Sequence, residues 1–265
     1  MRPLHLFQGL TFVITGFSKV KDKDKEEALE KTIADKGGTI AGKDQKMLEG
    51  VADAGSGESR LLQTSLSDRS VVLLAEGDPI KVTMKLLFGL AFGLRPLKPA
   101  WVHDSLKKHE WLPPARQRHL ASLPVSLPSS GIALCAPNWS AQPAADSDWS
   151  SRLLADTTVV VLGSKNNAAT SKPLSPSVKE WSSLLRAAGA QTRTELPSQH
   201  HAQGSSGRLI VMVDSSSDPS QVNGLLERAR ARELPVTTQD WLKKCLLEQR
   251  WVEPREVPPP PQLLA

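Results

Sequence analysis

Two pairs of tryptophans punctuate the chain at one spacing: Trp101 and Trp111 stand ten residues apart, and so do Trp241 and Trp251. The segments ahead of each pair repeat one order of signals, and this duplication limits the fold to two copies of one unit. In the first copy, Leu10 to Gly16 is a short β-branched, aromatic run ending at glycine, the pattern of a buried strand. Leu29 and Ile33 then stand one helical turn apart within Glu26 to Lys36, and Gly37-Gly38 stops that helix. Val71 to Ala75 is a second buried strand, and Asp78-Pro79 supplies an N-cap and a first-turn proline. The helix they open is predicted over Ile80 to Phe92, followed by a short strand near Leu97 and a helix from Trp101 to Lys108.

The second copy keeps the order. Thr157 to Gly163 is a strand, and Val178, Trp181, Leu184, Leu185 and Ala188 make a helical stripe that Gly189 ends. Leu209 to Val213 is a strand, and Asp218-Pro219 repeats the cap-and-proline signal before Val222, Leu225, Leu226 and Ala229. A short strand at Leu234-Pro235-Val236 and a helix around Trp241 finish the unit. Both copies read β-α-β-β-α-β-α. Short apolar strands joined by helices predict an α/β class, each copy a small four-stranded parallel sheet flanked by helices. The Ile80–Phe92 helix is apolar on nearly every side, so the two copies are expected to pack against each other through helices.

Proline draws the boundaries. Between Trp111 and Ala155 lie Pro113, Pro114, Pro124, Pro128, Pro137 and Pro143, without sustained periodicity, which excludes a central strand or a long helix there. The organisation predicted is a first repeat over 1–110 with an insertion at 42–69, a linker over 111–153, a second repeat over 154–256 and a proline-rich tail over 257–265. The longest apolar segment, Leu86 to Leu94, is too short to span a bilayer, and the opening residues lack the features of a secretory signal. Two cysteines, Cys135 and Cys245, make neither a disulfide framework nor a four-cysteine zinc site, which points to a reducing compartment. Tyrosine is absent, so any mechanism requiring a phenol is excluded. The formal net charge of +5 admits nucleic acid or acidic partners and selects neither.

A strand ending in Thr15-Gly16, the Gly37-Gly38 turn and a last helix begun by tryptophan together resemble the BRCT domain. Trp101-Val102-His103-Asp104-Ser105 and Gln239-Asp240-Trp241-Leu242-Lys243-Lys244-Cys245-Leu246 are the two copies of that last motif. The resemblance covers roughly residues 6–112 and 153–253. Within the family, Trp101 to Ser105 before a long linker, Trp181, His200-His201, Val213-Asp214 and Pro235-Val236 resemble the p53-binding checkpoint mediators.

Paired BRCT domains read phosphoserine peptides, and the resemblance places the phosphate pocket in the first repeat, on Thr15, Gly16, Thr83 and Lys85. The chemistry suits the residues: a phosphate brings about −1.5 to −2 charges and three strong acceptors. A hydroxyl, a close backbone amide and an ammonium complement it. The plain structural reading stands beside this one, since a Thr-Gly at a strand end is usually a turn and a helical lysine is usually solvated. Lys85 sits in an otherwise apolar helix, however, where an unpaired ammonium is costly. The second repeat offers Leu162-Gly163-Ser164 and no Thr-x-Lys in its second helix, so it is expected to shape the groove only. Val82 stands where several relatives carry an arginine that holds the peptide beyond the phosphate.

The resemblance implies a nuclear, non-enzymatic mediator of DNA-damage signalling, with a phosphorylated histone tail as ligand. A phosphate-independent scaffold is the alternative. It would grip a folded partner such as the p53 DNA-binding domain through the first repeat and the linker tryptophans, Trp139 and Trp149. Sharper chemistry finds no support. Trp101, Trp181 and Trp241 are expected in the core, and His200-His201 lacks further metal ligands at useful spacing. There is no G-x-G-x-x-G after a first strand and no P-loop, and Gly204-Ser205-Ser206-Gly207 is not a nucleophile elbow. Lys19 to Lys25 alternates with Asp22 and Asp24, so it reads as a charge-balanced loop and direct DNA binding is not expected. No catalytic group, metal, cofactor, small-molecule substrate or membrane is expected.

Overall fold

The computed structural model describes residues 5–18, 21–41, 71–78, 80–92, 94, 96–112, 119–121, 153–162, 178–197, 207–214 and 219–254. The insertion at 42–69, Cys135, Trp139, Trp149, His200-His201 and Gly204 to Ser206 lie outside them. The chain divides into two compact units, Met1–Asp148 and Trp149–Ala265, each taken by itself below.

In the first unit β1 (Thr11–Thr15), α1 (Lys23–Asp35), β2 (Thr39–Ile40), β3 (Val71–Ala75), α2 (Met84–Ala91), β4 (Pro96–Leu97) and α3 (Ala100–Lys108) follow in order. The strands form one parallel sheet in the order β2-β1-β3-β4. Alternation along a strand decides what each face carries. Phe12, Ile14, Val72 and Leu74 point to one face, where they pack with Leu29 and Ile33 of α1 and with Trp101 and Val102 of α3. Val13, Leu73 and Thr15 point to the other, towards α2. There Gly89 approaches so closely that a Cβ would stand 2.6 Å from Leu73 Cδ2, and α2 lies directly on the strands.

The second unit runs β5 (Thr157–Leu162), α4 (Val178–Ala187), β6 (Gln191–Arg193), β7 (Arg208–Val213), α5 (Pro219–Arg230), β8 (Val236–Thr238) and α6 (Gln239–Glu248). Its sheet is parallel in the order β6-β5-β7-β8. The duplicated β-α-β-β-α-β-α order is therefore the observed one. Here Val160, Leu162 and Val211 face α5, meeting Leu226 and Ala229.

The closing turns of the two units share one geometry. Trp101 and Trp241 are both buried, and each indole donates to a carbonyl eleven residues on, Leu112 at 3.0 Å and Val252 at 2.7 Å. α3 and α6 each end on a non-glycine residue in the left-handed region, His109 (φ 52°) and Gln249 (φ 51°). Trp181 is likewise in the core.

Three expectations need correction. The helix predicted from Ile80 starts at Met84 with Thr83 as its N-cap, so Asp78 is not its cap. Ile80 is instead held in an antiparallel bridge with Gly77, which keeps the chain from turning helical there. The strand expected at Leu234-Pro235-Val236 is shifted to Val236–Thr238, because Pro235 contributes only its carbonyl, which accepts from Val211 N at 2.9 Å. The charged run up to Lys25 is not all loop: Asp22 is the N-cap of α1, and Lys23, Asp24 and Lys25 form its first turn.

Beyond α3 the chain folds back on its own sheet. Leu120 bridges Leu97 antiparallel, Lys98 N donates to His119 O at 2.7 Å and Ala121 N to Pro96 O at 3.0 Å. The buried His119 ring meets Asp104 of α3 through Nε2 at 2.8 Å from Oδ2. Residues 119–121 thereby cover the outer edge of β4.

Candidate functional site

The end of β1 and the start of α2 are brought together by the alternation of β1. Thr15 is the last residue of that strand and belongs to its α2-facing set, so its side chain is carried towards the helix opening. Thr83 stands there in extended conformation (φ −117°, ψ 161°), and its Oγ1 accepts from Leu86 N at 3.2 Å, the geometry of an N-cap. The hydroxyls of Thr15 and Thr83 lie 2.6 Å apart, joined by a hydrogen bond in which either can donate. Thr15 is 5% exposed, so this bond also satisfies a buried hydroxyl.

Gly16 turns the chain away at φ +92°, and a Cβ there would stand 2.2 Å from the Glu76 carbonyl oxygen. No other residue fits that conformation without displacing backbone. The Gly16 amide makes no backbone hydrogen bond among the described residues. With the Thr83 cap engaging Leu86 N, the amides of Met84 and Lys85 remain at the positive end of α2. Thr15, Gly16 and Thr83 thus form one cluster of hydroxyl and amide donors.

Lys85 stands in the first turn of α2, half-buried, with no hydrogen-bond or ion-pair partner among the described residues. Its expected burial among apolar neighbours is corrected: full burial begins one residue later, at Leu86, and the first turn leaves the lysine only partly covered. Glu76 and Asp78, on the turn after β3, are the nearby acidic residues in sequence. The role of Thr83 as helix cap was missed in the sequence, although threonine three residues before a buried leucine is a usable signal.

At the matching place in the second unit, β5 ends on Leu162, which faces α5 as Thr15 faces α2. α5 opens on Pro219. Cys245 is set on the buried side of α6: burial pushes its thiol up to about 12, and the Glu248 carboxylate adds to the rise, which favours the protonated thiol. Among the described residues no group of three or more histidine, cysteine, aspartate or glutamate side chains could hold a metal ion, and no helix is long and apolar enough to cross a membrane.

Among solved structures, the S. pombe Brc1 BRCT5-BRCT6 domains are 16% identical to this chain, covering 94% of it and 96% of their own length, with a TM-score of 0.47. S. pombe Rad4 BRCT3,4 is 14% identical over 94% of this chain and 95% of its own, at a TM-score of 0.28. Rad4 BRCT1,2, solved with a Crb2 phosphopeptide, is 13% identical over 97% and 100%, also at 0.28. No curated protein matches the sequence. Two family models, each described as the BRCA1 C Terminus (BRCT) domain, match residues 3–106 and residues 155–258. With both sheets and their helices in the order that those matches imply, the chain belongs to the BRCT family and carries two such domains in tandem.

Proposed function

We propose that the chain is a non-enzymatic module that binds a phosphorylated segment of a partner protein at the end of β1. The observation that carries this reading is the Thr15–Thr83 hydroxyl pair at 2.6 Å, beside a glycine whose amide a ligand can approach and at the positive end of α2. A phosphate oxygen accepts from one hydroxyl and from the Gly16 amide, while the Lys85 ammonium supplies the counter-charge. The finer reading is a nuclear mediator of double-strand break signalling that recognises a phosphorylated histone tail. It rests on the likeness of Trp101 to Ser105, Trp181 and Val213-Asp214 to the p53-binding checkpoint mediators.

Titration calorimetry with one serine peptide in phosphorylated and unphosphorylated forms tests the proposal. The phosphorylated form should bind about tenfold or more tightly, and Lys85→Met should remove most of the difference. Equal affinities would end the phosphate reading. A phosphate-independent grip on a folded partner such as the p53 DNA-binding domain is then favoured. One observation supports it: Trp111, at the end of the first repeat, is 43% exposed and the one large apolar side chain exposed among the described residues.

A further inference from the structure

The second tryptophan of each pair meets different surroundings in the two copies. Trp251 is half-buried: Trp241 packs edge-on against it, and the Arg208 guanidinium stands 4.1 Å from its ring centre. Its Nε1 donates to Glu253 Oε1 at 3.0 Å. Trp111 is 43% exposed, and among the described residues no cation lies over its ring. β3 carries no arginine to serve as Arg208 of β7 does. Leu112 is fully buried, its carbonyl accepting from the Trp101 indole, and the neighbouring Trp111 is left on the outside.

The charge beside the two indoles differs as well. Ahead of Trp251 come Leu247 and Glu248, both buried, Glu248 with ion pairs to Lys244 and Arg250. At the same offsets ahead of Trp111 stand Lys107 and Lys108, both exposed, and the exposed His109 follows. His103 is exposed one turn before Lys107, on the same side of α3. Glu110 is the one acidic residue between Leu106 and Leu112. Lysines in a last turn complement the negative end of a helix, which accounts for the cations but not for the open indole.

We propose that Trp111, Lys107 and Lys108 form a binding surface for single-stranded nucleic acid. In the second copy a planar group of the chain itself covers the equivalent ring; in the first, a base from outside stacks there. The adjoining positive charge selects a planar group that brings phosphates, and not a second guanidinium. A folded protein partner fits less well. An anchoring indole works at the centre of an apolar patch, and Trp111 is the one large apolar side chain exposed among the described residues. The expectation against DNA binding came from Lys19 to Lys25, ahead of and within α1, and does not bear on α3. No residue is shared with the Thr15, Thr83 and Lys85 cluster, so the inference does not depend on phosphopeptide binding.

The test uses the full chain and a fluorescein-labelled oligothymidylate of about ten nucleotides, read by anisotropy at low salt. Saturable binding is expected, about tenfold weaker with Trp111→Ala and nearly retained with Trp111→Phe, whose ring still stacks. Lys107→Gln combined with Lys108→Gln should weaken it about fivefold and flatten its salt dependence, with unchanged melting because both side chains are exposed. Should Trp111→Ala lower the melting temperature, the lysine pair decides alone. Lys85→Met should leave binding unchanged, which separates this surface from the Thr15 cluster. Unlabelled oligothymidylate should displace the probe, and oligoglutamate of equal charge should not. The inference is overturned by absence of saturable binding, by indifference to Trp111→Ala or to the lysine pair, or by loss of binding with Lys85→Met. Equal displacement by oligoglutamate would also overturn it, marking a surface for acidic peptides instead.

Discussion

At one point in the sheet the two repeats carry opposite chemistry. Thr15 and Leu162 each end the first strand of their unit and face the second helix, but one is a hydroxyl bonded to a helix cap and the other is an isobutyl group in the core. Elsewhere the copies agree closely: a buried tryptophan donates to the carbonyl eleven residues on, and a left-handed residue, His109 or Gln249, ends the last helix. Duplicated units drift where no packing holds them. The difference at Thr15 lies inside the packed interior, where the buried hydroxyl is held by Thr83. The first copy has a polar opening at the strand tip; the second uses that volume for core.

The most drastic way to break the comparison is to attack what the copies share. Trp241→Arg places a cation where the indole is 6% exposed and packed edge-on against Trp251 at 5.6 Å. The second repeat should lose about 4 kcal/mol or more, seen as the loss of its unfolding transition in urea followed by circular dichroism. An unaltered transition would refute the shared core.

A sharper test exchanges the two chemistries. Leu162→Thr buries an unpartnered hydroxyl and removes methyl groups, costing about 2–4 kcal/mol without creating phosphopeptide affinity in calorimetry. Thr15→Val leaves Thr83 without its partner and should cost about 1–2 kcal/mol while reducing phosphopeptide affinity about tenfold. Affinity unchanged by Thr15→Val would mean that the hydroxyl pair is only a clasp between strand and helix.

The smallest effect concerns Cys245 and its counterpart Ser105, both fully buried on the last helix of their repeats. With its thiol raised to about 12 by burial, Cys245 stays protonated across neutral and mildly alkaline conditions. In a Cys135→Ser background, labelling by a thiol reagent at pH 8 should be at least about a hundredfold slower in the native chain than in urea. Rapid native labelling would show that α6 opens readily.

The element order and both tryptophan anchors were legible in the sequence because periodicity and repetition are local signals. The opening of α2 was not. Asp78-Pro79 imitates a helix start over two residues, yet the Gly77–Ile80 bridge decides that stretch, and pairing between bends leaves no mark in a short window. Of the candidate site, Thr15, Gly16 and Thr83 were legible as a constellation, while the cap linking Thr83 to Thr15 required the three-dimensional arrangement. The partial exposure of Lys85 was hidden by its apolar neighbours, since hydropathy does not say where a helix begins.

The short return of residues 119–121 onto β4 bears on how this molecule can be handled. A fragment ended at 110 would lack the segment that seals the rim of its sheet. The bared Lys98 amide and Pro96 carbonyl would offer neighbouring copies a template, and such a fragment should precipitate or swap strands, whatever the merits of its core.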